Sequence, residues 1–331
     1  MASHRMMATA LWYEAPGQVG LRNADLDDPS PGYARVRSLF SGISRGTERL
    51  VLHGRVPASE WARMRAPLQQ GEFPFPVKYG YCAVGVVEAG PRDLLGRAVF
   101  CLHPHQDRFN AAAAMLPLVP DDVPPRRATL AANMETALNA LWDSSAGPAD
   151  RIAVVGGGII GLLVGYLAAR LPGARVTLGD IDPGRAAIAE HLGMAFAAPT
   201  ALPGDCDVVF HTSASAEGLA TAMACAGAEA AIVELSWYGD KPIAVRLGGA
   251  FHSRRLRLIG SQVGQIAASH RPRWSYASRL DAALDLLRDN RLDILVDETV
   301  DFLDTPTRLP AILDTSTGLA PVIRYPTEMD E

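Results

Sequence analysis

Lysine is nearly missing from this chain: only Lys78 and Lys241 occur, so arginine supplies almost all of the 31 basic side chains. The arginines are scattered, and with a formal net charge of -5 they form no stripe that would hold nucleic acid or an anionic membrane surface. Cysteine is sparse as well. Cys82, Cys101, Cys206 and Cys225 stand far apart without a CxxC spacing, which excludes a disulfide framework and a cysteine-rich zinc knuckle and points to a reducing cytoplasm. No apolar run approaches the ~20 residues needed to cross a bilayer. The opening Met1-Ala2-Ser3-His4-Arg5 lacks the apolar core of a secretory signal.

What is present fits a folded, water-facing protein. Hydrophobic residues make up 48% and charged residues 20% of 331 positions, more chain than one comfortable core requires, so two domains are expected. The first third is β-rich: short apolar stretches at 34–39, 83–88 and 98–102 are separated by turns such as Pro31-Gly32 and Gly90-Pro91. Residues 54–76, with four prolines, read as a long surface excursion. A proline-dense crossing at 117–125 precedes a helix over 125–141. From Arg151 the pattern changes to alternating strands and helices: strands at 151–155, 175–179, 207–211, 229–235 and 256–261, with helices at 159–170, 183–192 and 216–226 between the first four. Repeated β-α units of this length force a doubly wound parallel sheet, an α/β fold. A leucine-striped helix over 276–289 and a strand-helix-strand tail over 295–325 complete the chain.

The first strand of that alternation runs into Gly156-Gly157-Gly158-Ile159-Ile160-Gly161. A GxGxxG pattern alone is weak, but here it follows an apolar strand and opens a helix. Gly156 suits the tight turn, Gly158 clears the approach of a pyrophosphate, and Gly161 lets the helix lie close on the sheet. The helix start then offers unpaired N–H groups and a positive dipole end to phosphates. Asp180 closes the second strand, near the spacing of a ribose-binding carboxylate. Such an acid accepts from the adenosine hydroxyls and repels a 2′-phosphate, favouring NAD over NADP; Arg185, close in sequence, softens that preference. Asp180 also reads as a helix cap, although Asp182 ahead of Pro183 suits that job equally.

This layout resembles the medium-chain dehydrogenase/reductase superfamily, the alcohol-dehydrogenase-like enzymes, over nearly the whole chain. Ser41-Gly42-Ile43-Ser44-Arg45-Gly46-Thr47-Glu48 resembles the loop that carries the first metal cysteine in zinc members. Gly80-Tyr81-Cys82 is similar to the family's Gly-His-Glu, and 251–262 resembles the stretch lining the nicotinamide. The resemblance implies a GroES-like β-rich catalytic domain over 1–120, a Rossmann NAD-binding domain over 121–267 and a return to the catalytic domain over 268–331. It implies a homodimer. It places Thr136 and Ser261 beside the nicotinamide, with Thr212 and Ser236 completing a cofactor set of Gly156, Gly158, Ile159, Ile160, Gly161, Asp180 and Arg185. Ser44, Tyr81 and Cys82 replace the family's cysteine, histidine and glutamate, and only Cys101 stands where structural zinc needs four cysteines, so no zinc is expected. The Ser-Gly-Ile-Ser-x-Gly-Thr-Glu signature is most similar to the zinc-free branch around bacteriochlorophyllide a dehydrogenase.

Without a metal, one side chain must manage the proton that accompanies hydride transfer. Tyr81 is the leading candidate, at a position that implies a view into the cleft; it reads equally as a packing aromatic. Its phenol, near pKa 10, requires downward tuning, for which Lys78 is the one neighbouring cation in sequence. Ser44 and His105 are candidates to complete a proton path, and Glu135 to contact substrate. Each has a plainer reading: turn bonding for Ser44, a solvated loop histidine for His105, a first-turn helix acid for Glu135. Glu48 reads as an exposed helix-start glutamate before it reads as a base. The expected activity is zinc-independent, NAD(H)-linked interconversion of a secondary alcohol and its ketone. The alternatives are an NADPH-dependent quinone or enone reductase and a non-catalytic dinucleotide-binding relative.

Overall fold

The computed structural model describes residues 6–315 and 317–326. These divide into two compact units, Met1–Ala132 with Leu284–Glu331, and Asn133–Ala283.

The second unit is built on a six-stranded sheet with every pair parallel. Its spatial order is Ala195–Ala197, Arg175–Gly179, Arg151–Val155, Cys206–His211, Ala226–Glu234, Arg257–Gly260. Numbered along the chain this is 3-2-1-4-5-6, the doubly wound arrangement, with its switch point between Arg151–Val155 and Cys206–His211. Ile152, Ala153, Val154 and Val155 are buried, as a central strand covered on both faces demands. The following helix, Ile159–Ala168, buries every residue from Gly161 onward. A second core joins Val155, Val209 and Ile232 to Leu219, Ala222 and Met223 of the helix Ala216–Cys225.

The first unit is β-rich and antiparallel except where Thr299–Asp301 pairs parallel with Val322–Arg324. One sheet runs Gln18–Leu26, Met6–Ala15, Val77–Lys78, Gln70–Gly71; the other runs Thr299–Asp301, Val322–Arg324, Tyr33–Gly42, Ala83–Ala89, Ala98–Cys101. Along Met6–Ala15, residues Ala8, Ala10, Leu11 and Tyr13 are buried. Ala34, Val36, Val87, Val99 and Phe109 form this unit's core. Val322–Arg324 pairs antiparallel with Tyr33–Gly42. No helix among the described residues is long and apolar enough to cross a membrane.

The unit limits fall at 132/133 and 283/284, later than the expected 120/121 and 267/268. Side-chain bonding gives the reason. The expected helix over 125–141 is two helices, Pro125–Ala128 and Ala131–Ser144, and the first belongs to the β-rich unit. There the guanidinium of Arg127 donates to both carboxylate oxygens of Asp293 at 2.7 and 2.8 Å, and to the Leu287 carbonyl at 3.1 Å. The helix Tyr276–Leu286, by contrast, is bound into the parallel unit through Arg279, which donates to Glu135 and Asn139. Residues 54–76 are more than a surface excursion, because Val56 and Phe73 are buried and Gln70–Gly71 pairs with Val77–Lys78.

Arg127→Met removes a two-point ion pair and leaves the Leu287 carbonyl without its donor. A loss of about 2–4 kcal/mol in urea unfolding is expected, whereas Asp293→Asn, at a half-exposed carboxylate, costs about 1 kcal/mol.

Candidate active site and dinucleotide cradle

In the parallel unit the glycine turn leaves the central strand at the switch point. Gly156 has φ +114°, and a Cβ there would lie 2.7 Å from the Ser213 amide nitrogen. At Gly161 a Cβ would overlap the Gly156 carbonyl oxygen. Gly158 differs: it is exposed, has φ -73° and ψ 178°, and a Cβ there would meet nothing within 4 Å. Gly156 and Gly161 are therefore glycines because the fold needs them, and Gly158 is not. Gly158 caps the helix without a side-chain bond, and Ile159 and Ile160 sit half-buried in its first turn.

Asp180 stands beside this turn. Its carboxylate accepts from the Gly157 N–H at 2.5 Å and from the Asp182 N–H at 2.8 Å. Arg185 is buried; its stem lies against Gly157 and its guanidinium pairs with Asp182 at 3.4 Å. Thr212 donates to the Gly156 carbonyl at 2.7 Å and braces the turn from below. Ser236 accepts from the Ala214 N–H at 3.0 Å, and Ser261 donates to Asp143 at 2.8 Å. Thr136 is half-buried on the helix Ala131–Ser144. Its neighbour Glu135 pairs with Arg279 at 3.0 Å. Burial pushes the Glu135 carboxyl up while Arg279 pulls it down. The structure thus gives Glu135 an internal partner, one that spacing alone did not reveal.

Sequence reasoning missed two residues at this edge. His211 and Glu234 end adjacent strands, and their side chains meet at 2.7 Å, with the other ring nitrogen of His211 2.8 Å from the Ser213 hydroxyl. Burial would raise the Glu234 carboxyl, but the bond and charge of His211 and the Ser236 N–H hold it low. The distances match a serine-histidine-acid triad, yet the Ser213 oxygen is packed against Gly218, where a Cβ would overlap it. The trio braces two strand ends. The signal available in the sequence was a polar residue closing each of two neighbouring strands.

In the β-rich unit Tyr81 donates to the Ser44 hydroxyl at 2.5 Å. Burial pushes the Tyr81 phenol well up, with Cys82 adding to this, while bonds with Ser44 and Thr47 pull the other way. This is opposite to the downward tuning that a base would need, so the phenol keeps its proton at neutral pH. Lys78 donates instead to Gln106 at 2.7 Å, and burial pushes its ammonium down to about 8.

Two expected descriptions are corrected by burial. His105 is no solvated loop histidine, and Glu48 is no exposed helix-start acid: both are 0% exposed. His105 Nε2 lies 3.0 Å from Glu48 and its Nδ1 2.7 Å from the Ser41 hydroxyl. Glu48 also accepts from the Tyr13 hydroxyl at 2.6 Å and the Ser44 N–H at 2.7 Å. Burial would raise the Glu48 carboxyl, but His105, Tyr13 and the Ser44 amide hold it below the usual range.

A zinc ion does not suit this donor set. Two of the three family ligand positions carry hydroxyls bonded to each other, one a phenol kept protonated by burial. Among the described residues no group of three His, Cys, Asp or Glu side chains converges as a metal cage would require.

No family model matches the chain. A 90-residue stretch is 37% identical to 2-desacetyl-2-hydroxyethyl bacteriochlorophyllide A dehydrogenase of Cereibacter sphaeroides, covering 26% of this chain and only 24% of that protein. Solved structures match much more of it. A Sinorhizobium meliloti protein classed as a zinc-binding dehydrogenase, bound to NADP, superimposes with TM-score 0.77 over 96% of this chain and 99% of its own, at 19% identity. An alcohol dehydrogenase of Escherichia coli CFT073 with NADH gives TM-score 0.76 over the same shares, at 16% identity. The fold is that of the medium-chain dehydrogenases/reductases. It carries both the parallel Rossmann-type sheet and the antiparallel sheets of that superfamily.

The glycines divide by a simple experiment. Gly161→Ala forces helix and turn apart and is expected to lower the melting temperature by several degrees, while Gly158→Ala melts within about 2 °C of the parent. Equal melting of the two variants would contradict the packing described.

Proposed function

We propose that this chain is a zinc-independent, NAD(H)-dependent oxidoreductase that moves hydride between the nicotinamide and a secondary alcohol or its ketone. The observation that carries this reading is the empty space over Gly158, at the switch point of a 3-2-1-4-5-6 sheet and the start of an uncapped helix. A glycine that the fold itself does not require is explained by a ligand that needs the room, and a diphosphate on the helix N–H groups is such a ligand.

In this reading Gly156, Gly158, Ile159, Ile160 and Gly161 frame the diphosphate. Asp180 exchanges its bond to the Gly157 N–H for the adenosine ribose hydroxyls and disfavours a 2′-phosphate. Thr136, Thr212, Ser236 and Ser261 support the nicotinamide half. The bound cofactor supplies or accepts the hydride. Tyr81 retains its proton and offers it to the oxygen of a reduced ketone, and Ser44 fixes the direction of the phenol. The same hydroxyl takes the proton back in the reverse reaction, so the geometry serves both directions. His105 and Glu135 act at a distance, through Glu48 and Arg279.

The resemblance adds a homodimer, cysteine usage a cytoplasmic setting, and the charge and apolar pattern no nucleic-acid or membrane partner. Arg257–Gly260 is a free edge of the parallel sheet, with Leu258 41% exposed, and is compatible with pairing between copies. An NADPH-linked enone or quinone reductase is the second reading. It draws on the NADP-bound neighbour and on Arg185 beside the turn, though Arg185 is held by Asp182.

Calorimetry with the full chain tests the cofactor. NADH is expected to bind at least tenfold tighter than NADPH, and Gly158→Ala to lose at least tenfold in NADH affinity without a change in melting. No binding of either nucleotide at millimolar concentration overturns the proposal. Tyr81→Phe, assayed by single-turnover oxidation of NADH against a panel of ketones, is expected to slow hydride transfer at least 100-fold. Activity within a few-fold of the parent removes Tyr81 from the role.

A further inference from the structure

The backbone ladder between Tyr33–Gly42 and Ala83–Ala89 ends at Ser41 and Ala83, with the Gly42 N–H donating to the Cys82 carbonyl at 2.9 Å, and Ser44 and Tyr81 lie just beyond that end. Ser44 precedes the helix Arg45–Leu52, and Tyr81 lies in the short connection between Val77–Lys78 and Ala83–Ala89. Hydroxyls on loops do not hold a sub-ångström relation unless the residues behind them are themselves locked. A closed circuit of buried contacts provides that lock. One oxygen of Glu48 accepts the Ser44 N–H, while the other meets His105 Nε2. His105 in turn grips the Tyr81 side twice. Its backbone N–H donates to the Tyr79 carbonyl at 3.2 Å, and its ring lies against Gly80, where a Cβ would come within 2.8 Å of His105 Cδ2. The bond from Tyr81 to Ser44 closes the circuit.

Resting on the catalytic reading of Tyr81, we infer that the Glu48–His105 pair is the positioning device that sets the Ser44 and Tyr81 hydroxyls against each other. Neither residue is a catalytic acid or base. The pair is sealed from water on all sides: Tyr13 and the Ser44 amide take the remaining capacity of Glu48, and Ser41, backed by Tyr325 at 2.8 Å, takes His105 Nδ1. All of these side chains are at most 2% exposed, except Ser44 and Tyr81 at the open end. The chain of side-chain bonds through His105 ends inward at Tyr325, so what the pair transmits to the site is position, through Ser44 N–H and Gly80.

Position and charge make opposite demands on substitution. A glutamine at 48 keeps an oxygen for the Ser44 N–H and an amide facing His105 and Tyr13, so Glu48→Gln preserves the circuit. Glu48→Ala opens it, and Glu48→Asp is too short to span both sides, providing a second variant if the alanine chain fails to fold.

The test uses the full-length protein, NADH and the ketone with the fastest turnover in the panel above. Expected for Glu48→Ala, or Glu48→Asp in its place, is at least a tenfold fall in kcat with the NADH Kd within twofold of the parent. Glu48→Gln is expected to stay within threefold. In the Tyr81→Phe background the Glu48→Ala change is expected to add less than twofold, because the hydroxyl it positions is already gone. Glu48→Gln as inactive as Glu48→Ala would show that charge matters and overturn the inference, as would multiplicative losses in the double variant. A parent that binds NADH yet turns over no ketone, or a Tyr81→Phe chain that works normally, brings down the catalytic reading first and this inference with it.

Discussion

Taking a carboxylate out of water costs several kcal/mol unless donors replace its lost hydration, and Glu48, with no exposed surface, must obtain them from the chain itself. Tyr13, Ser44 and His105 are drawn from a strand, a helix start and a loop remote from one another in sequence. Satisfying one acid therefore fixes the mutual placement of three segments. His105 extends the same demand to Ser41 and Tyr325. The antiparallel sheets supply the frame of this unit, but the register of its polar interior is set by the need to leave no charge of Glu48 unmatched. Tyr81 and Ser44, both half-buried, stand at the edge of this interior.

The parallel unit solves a different problem by removing atoms. Helix Ile159–Ala168 can reach the central strand only because Gly161 has no side chain to strike the Gly156 carbonyl. Thr212 occupies the remaining space and bonds that same carbonyl. A close helix brings its uncapped N–H groups up to the carboxyl edge of the sheet, where Asp180 already holds the Gly157 N–H. That bond is informative about electrostatics: the turn attracts an anionic oxygen even from its own chain, as expected of concentrated, unpaired amide dipoles.

Much of this was legible in the residue order. Strands 151–155 and 175–179 and the glycine turn stood out because periodicity, turn chemistry and motif agreed there. The doubly wound order followed from alternation alone. Burial of polar groups was not legible. Glu48 reads as a helix-start acid because Ser44, Arg45, Gly46 and Thr47 ahead of it are polar or small, and nothing local announces that Tyr13 and His105 converge on it. Glu135 shows the same limit: its partner Arg279 lies 144 positions away. The unit boundaries were misplaced for a related reason, since Arg127 and Arg279 assign their helices through long-range pairs that composition does not register. The two opening strands, Met6–Ala15 and Gln18–Leu26, were passed over because the second is mostly exposed and lacks clean alternation.

On the proposed reading, Ser44 and Tyr81 divide between them the work that a metal would do at this position. A divalent ion would polarise a substrate oxygen by charge and hold its ligands by coordination, both at once. Hydroxyls separate those tasks. In that reading polarisation falls to the Tyr81 phenol, which burial holds in its protonated form at neutral pH. Holding falls to the Glu48–His105 pair placed one layer deeper, where the cost of burying it is offset by full bonding. A neutral donor stabilises developing negative charge less than a cation does, so the proposed arrangement relies on the placement of the phenol.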